Sequence, residues 1–160
     1  MRFLMLDRIT ELKSGEMALG IKNPSFEECC LPRLGAVKQT MPRTLILESI
    51  GQLASWLIIV TNDFKVRPLI ASFDKAEFFA DAEAGDQVII KVHLRSSHDD
   101  SALIDGEAKV KDKIITKVHQ AICTFAPMEF FDDIDDVKAK YVTLTKKNQD
   151  QNSKSDLQNL

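Results

Sequence analysis

The stretch that most constrains this chain is residues 41–62, MPRTLILESIGQLASWLIIVTN, whose apolar residues leave no broad polar face. Pro42 suits the first turn of a helix, where a missing N–H is no loss, and Thr44 can cap or extend that turn. Leu45, Ile46, Leu47, Ile50, Leu53, Ala54, Trp56, Leu57, Ile58, Ile59 and Val60 follow. A helix apolar nearly all round belongs inside a protein, sheathed by other elements. Glu48 interrupts the run and makes it short and polar for a bilayer span. The polar residues Thr44, Glu48, Gln52 and Ser55 fall at i, i+4, i+8 and i+11, one narrow stripe at helical spacing. Desolvating a carboxylate there costs on the order of several kcal/mol unless it is paired or wet. Two readings of Glu48 stand open. Either it bonds a neighbouring backbone group or reaches solvent, or the stripe lines a cleft.

A chain of 160 residues is one domain with, here, a loose tail. A net charge of −3 gives no general attraction for nucleic acid or an anionic membrane surface, so neither is expected as a partner. Three cysteines, with Cys29 and Cys30 adjacent, make no disulfide framework. The opening MRFLMLDRIT lacks the sustained apolar core of a signal peptide, and free thiols then point to the cytoplasm. No CxxC pair, HExxH or histidine cluster occurs, so no metal is expected. No GxGxxG or P-loop occurs, so no nucleotide cofactor is expected either.

Residues 8–22 read as two short strands around a Ser14-Gly15 turn. Residues 25–40 read as irregular, broken by Pro32 and Gly35, and deliver the chain to the central helix. Everything from 67 to 126 reads as strand: 68–79, then 87–95, 101–111 and 114–126. The second of these alternates Val88, Ile90, Val92 and Leu94 with Gln87, Lys91, His93 and Arg95, which gives one buried face. The acidic run at 132–136 reads as a solvated stretch. Residues 129–145 read as a surface arm or short helix, and 146–160 as a disordered tail. The class is α+β: a curved antiparallel sheet of five or six strands wrapped around one long central helix. Such a sheet leaves an edge strand or a helix side unsatisfied, so a two-fold dimer or higher homo-oligomer is expected.

Four segments, in order, resemble a known family. Leu6-Asp7-Arg8-Ile9 is similar to an opening L-x-D-R-V, and NPSFEECCLP at 23–32 to N-E-x-F-F-x-G-H-F-P. MPRTLILESIGQ at 41–52 is similar to M-P-G-V-L-I-L-E-A-x-A-Q, and FFADAEAGDQV at 78–88 to F-x-x-x-x-x-P-G-D-x-L. The family is the 3-hydroxyacyl-[acyl carrier protein] dehydratases of the hotdog fold, and the resemblance implies a hotdog domain over residues 1–128. It also implies water elimination from a 3-hydroxyacyl thioester of fatty-acid or polyketide-type metabolism, carried on acyl carrier protein or CoA.

That chemistry needs a base for the proton beside the thioester carbonyl, an acid for the departing hydroxyl, and polarisation of the carbonyl. In the family a loop histidine is the base, the helix carboxylate of the other subunit is the acid, and the amide at the MPG glycine binds the carbonyl. Carried over, Glu48 stands at the carboxylate and Gln52 at the family glutamine, with Met41, Pro42 and Arg43 at the carbonyl-binding turn. Two positions depart. Arg43 replaces the glycine, and Cys30 replaces the histidine, with four extra residues between that loop position and the helix. No histidine precedes His93. A base is worth a factor of roughly 10²–10⁴. Cys30 could serve as a thiolate if Arg33 or a helix N-terminus lowered its pKa, or be only a small apolar loop residue. His93, His98 and His119 read as surface or edge residues, and Trp56 as core. Three functions stay open: a dehydratase with weak or no activity alone; a non-catalytic acyl-binding subunit that completes a heterodimer with a histidine-bearing homologue; or a thioesterase using Glu48.

Overall fold

The computed structural model describes residues 4–30 and 40–146. A hairpin opens the chain, β1 (Arg8–Lys13) and β2 (Met17–Lys22), turning through Gly15 at φ +75°. Such a φ is free for glycine and strained for a side chain. A short helix, α1 (Phe26–Cys30), precedes the central helix α2 (Arg43–Thr61). Then come β3 (Val66–Ser72), β4 (Lys75–Phe78), β5 (Val88–Ser97), β6 (Ser101–Val110) and β7 (Lys113–Pro127). A 3-10 turn at Met128–Phe130 leads into a last helix, α3 (Ile134–Thr145).

All pairings are antiparallel, in the order β1-β2-β5-β6-β7-β3, with β4 also on β7. The sheet therefore has seven strands in six places across, and the expected single strand at 68–79 is broken at Phe73-Asp74. The reason lies in its neighbour. β7 turns through Gln120 at φ +50°, with β4 paired to residues before it and β3 to residues after it. Asp105 holds that kink by accepting the Gln120 N–H at 2.8 Å and the Arg95 Nε–H at 2.7 Å.

α2 lies in the concave side of this sheet. Ile46, Ile50, Leu53 and Leu57 recur at helical spacing and are each 3% exposed or less. The sheet meets them with Val88, Ile90 and Val92 from β5 and Ala102, Ile104 and Ala108 from β6. Closest approach needs no side chain at all: a Cβ on Gly106 would overlap the Ile50 side chain. By length and composition α2 could cross a membrane, contrary to the expectation drawn from Glu48, yet half of it is buried within this protein.

Two further expectations change. The irregular stretch before α2 contains α1, started by a capping box in which Ser25 Oγ accepts the Glu28 N–H and Glu28 Oε2 accepts the Ser25 N–H. The 132–136 run is not simply solvated. Asp133 caps α3 by accepting from Asp135 and Asp136, and the Asp132 side chain is nearly buried against Arg67. Residues 129–145 resolve into the end of the 3-10 turn and α3, whose Tyr141 ring packs on Trp56 and Phe64. The tail expected to be disordered lies outside the described residues from 147 onward.

Candidate functional site

α2 carries the polar stripe where the sheet does not cover it. Thr44 and Glu48 are exposed, and Gln52 and Ser55 are half-buried. Glu48 Oε1 accepts a hydrogen bond from Gln52 Nε2 at 2.9 Å, one turn along. Gln52 Oε1 in turn accepts the Met5 backbone N–H at 2.9 Å. The N-terminal segment thus fixes the amide, and the amide fixes the carboxylate. Glu48 Oε2 has no partner among the described residues. Ser55 is not part of this chain of bonds, since its hydroxyl donates back to Gly51 O at 2.9 Å.

Two cavities meet at Glu48, Gly51 and Ile70. One, of about 280 Å³, lies between α2 and the sheet, with walls from Leu47, Ile50, Ala54, Phe73, Ile104, Ala121 and Cys123. It is apolar apart from Glu48 and Thr44 at its rim. The other, of about 560 Å³, is an open groove along α2 toward α3, bordered by Gln52, Ser55, Trp56, Arg67 and Lys140. A carboxylate at the joint of an apolar hole and an amphipathic groove suits a ligand with a greasy end, a reactive middle and a polar arm.

Of the residues singled out from the sequence, Glu48 and Gln52 come together. Met41 is buried, and its N–H donates to Ala82 O at 2.8 Å, tying the start of α2 to the loop after β4. Pro42 is the residue ahead of the first helical turn. Arg43 Nε donates to Asp81 at 2.7 Å, so the guanidinium is held on the far side of the turn. Neither Met41, Pro42 nor Arg43 lines either cavity. Cys30 is the last residue of α1, and its side chain lies outside what is described.

Cys123 lines the apolar cavity, and burial pushes its thiol up to about 11, so at neutral pH it is a protonated, apolar wall rather than a base. The sheet separates His93 and His119 from the cavity. They sit on its outer face with Lys91 and Lys117, and His119 lies 3.0 Å from Glu77. His98 follows β5 in the turn to β6. None of the three histidines lines either cavity.

Sequence reasoning passed over the support beneath α1. Lys22 is only 5% exposed, and its ammonium bonds Glu28 at 2.7 Å and Asp7 at 3.4 Å. Asp7 also accepts from the Asn23 backbone and side chain. Desolvation raises the Glu28 carboxyl, but Lys22 and Ser25 together outweigh it and hold it below its usual value. The Ser25-x-x-Glu28 spacing was the signal available in the sequence.

The FabA-like domain model matches residues 1–119. The 3-hydroxyacyl-[acyl-carrier-protein] dehydratase FabZ of Caldanaerobacter subterraneus subsp. tengcongensis is 34% identical over 113 residues, covering 70% of this chain and 80% of that protein. FabZ of Coxiella burnetii (strain RSA 331) is 29% identical over 119 residues, covering 72% and 84%. Among solved structures, a Streptococcus mutans protein bound to acetyl CoA superposes with a TM-score of 0.64 at 8% identity, over 79% of this chain and 94% of that one. A hot-dog-like protein from Thermanaerovibrio acidaminovorans gives 0.61 at 15% identity, over 81% and 93%. These two establish the fold alone. On sequence match and fold together, this chain belongs to the FabA-like family, the hotdog-fold dehydratase family that its four motifs resemble.

Proposed function

We propose that this protein acts on 3-hydroxyacyl thioesters of fatty-acid or polyketide-type metabolism, carried on acyl carrier protein or CoA, with Glu48 as the acid of a dehydration. The observation that carries this reading is the Glu48 carboxylate, pinned through one oxygen by Gln52 and open through the other at the mouth of an apolar cavity. In the reaction a base takes the proton beside the thioester carbonyl, the carbon–carbon double bond forms, and protonated Glu48 gives its proton to the departing hydroxyl. The first turn of α2 offers the backbone N–H of Thr44, a residue of the cavity's rim with no earlier helical carbonyl to bond, to the developing oxyanion. Glu48 is open to solvent in a single chain, and β3 leaves a free sheet edge beside it. A two-fold dimer through that edge would cover the carboxylate and enclose the mouth of the cavity between two copies. The work would take place in the cytoplasm.

A second reading is favoured by one fact: no histidine of the chain lines either cavity. A histidine-bearing homologue would then supply the base in a heterodimer, with this chain contributing Glu48. The test is enoyl product formation from a 3-hydroxyacyl carrier protein, with the protein alone and mixed with such a homologue. Product that falls by about 10²–10⁴ in Glu48→Gln supports the assignment of the acid. Glu48→Gln should leave stability within about 0.5 kcal/mol, because the side chain is exposed. Release of free acid in place of enoyl product would move the protein to the thioesterases, and no product in either mixture would refute dehydration.

A further inference from the structure

We propose that the outer face of the sheet binds a phosphate group, in a pocket between Lys91 and Lys117 directly behind the apolar cavity; the site stands whether or not the chain turns over thioesters. The pocket, of about 210 Å³, lies on the far side of β5, β6 and β7 from α2, and Gly106 and Val118 line both it and the apolar cavity. Strand register gathers its groups. Lys91 of β5 stands opposite Glu107 of β6, which stands opposite Lys117 of β7. His93 stands opposite Asp105 as the next pair on that face. The two lysines are thus two strand spacings apart, about 9–10 Å between backbones. Their flexible four-carbon stems can close that gap onto one oxyanion.

The carboxylates of this face are already met, and part of its positive charge is not. Asp105 spends both oxygens, accepting the Gln120 N–H at 2.8 Å and the Arg95 Nε–H at 2.7 Å. Glu107 pairs at 2.8 Å with Lys109, which does not line the pocket. Next to the pocket, Glu77 takes Lys75 at 2.6 Å and His119 at 3.0 Å. Among the described residues, no carboxylate pairs with Lys91 or Lys117, and the His93 ring has no hydrogen-bond partner. With the histidines neutral, Lys91, Arg95 and Lys117 against Asp105 and Glu107 leave the pocket a net charge of +1. Two unpaired ammonium groups match the charge of a phosphate dianion, and a monovalent ion would leave one of them unmet. The His93 ring and the Nη groups of Arg95 are further donors for its oxygens.

The experiment titrates the full chain, in phosphate-free buffer at low salt, with inorganic phosphate, glycerol 3-phosphate and chloride, followed by phosphorus NMR and calorimetry. The wild type should bind one of the two phosphates at least roughly tenfold more tightly than chloride, as charge-assisted hydrogen bonds to several oxygens require. Tighter binding of the ester identifies an organic phosphate as the ligand, and tighter binding of the free ion identifies phosphate itself. Lys91→Gln and Lys117→Gln should each weaken binding about fivefold, the scale of an exposed ion pair. Glu107→Gln should tighten it by about as much, because it removes the carboxylate between the two lysines. Lys65→Gln makes the same change in net charge at an exposed residue outside the pocket and should leave binding unchanged. No preference for phosphate over chloride in the wild type would overturn the site, and so would an equal loss in Lys65→Gln and Lys91→Gln.

Discussion

Gln52 spends both ends of its amide on holding Glu48, one on the carboxylate and the other on the Met5 N–H. A side chain with freedom at every torsion becomes a fixed donor and acceptor, which is what a proton-transferring carboxylate needs beside it. Gly51, one turn on from Glu48, lines both cavities and sits where the family motif carries alanine. A Cβ there would fall 2.9 Å from Cδ1 of Ile70, the far end of a flexible side chain, so Ile70 can yield. Gly51→Ala should therefore raise stability by about 0.5–1 kcal/mol through helix propensity. The same methyl narrows the mouth beside Glu48, so KM for a long acyl thioester should rise several-fold with little change in kcat. Calorimetric melting and steady-state kinetics check the two halves, and a destabilised variant would show that Ile70 has no room to move. The stripe of Thr44, Glu48 and Gln52 was legible because a helical repeat fixes which side chains share a face. The return of the Ser55 hydroxyl to its own helix was not, since either bonding choice fits the same spacing.

At the scale of elements, α1 is held by the buried Lys22 ammonium rather than by its five residues of helix. Because the folded protein keeps the Glu28 carboxyl below its ordinary value of 4.5, the unfolded chain takes up its proton first as acid is added. The contribution of the pair is thus complete above the ordinary carboxylate range and is lost as pH falls through the lower folded value. Glu28→Gln should cost about 1 kcal/mol at pH 7, a figure kept low by the partial exposure of the group. The difference from wild type should shrink toward zero below about pH 4, as read by urea denaturation at several pH values. A gap that persisted unchanged in acid would mean that packing, not charge, makes the difference. The central helix and the long strands were readable from periodicity alone. α1 was too short for any period to register, and the break between β3 and β4 is imposed by the kink in β7, a different stretch of chain.

For the whole molecule, the sheet ends at β3 with Leu69, Ile70 and Phe73 each more than two-fifths exposed. An apolar strand with open backbone groups is a surface that another chain can extend. Leu69→Glu should weaken self-association at least tenfold, measured by light scattering across a dilution series, while the monomer stays folded. A wild-type protein monomeric at high concentration would remove the dimer from the proposed site. The sequence alone determined the helix at the centre, the sheet around it, the family, and the stripe that Glu48 shares with Gln52, because periodicity and local motifs are written in neighbouring residues. Only the tertiary structure decided that Arg43 turns away to Asp81 and that α3 closes the far end of the groove. Those outcomes depend on which distant segments meet, as Arg43 and Asp81 do across 38 residues, and no local repeat encodes that meeting.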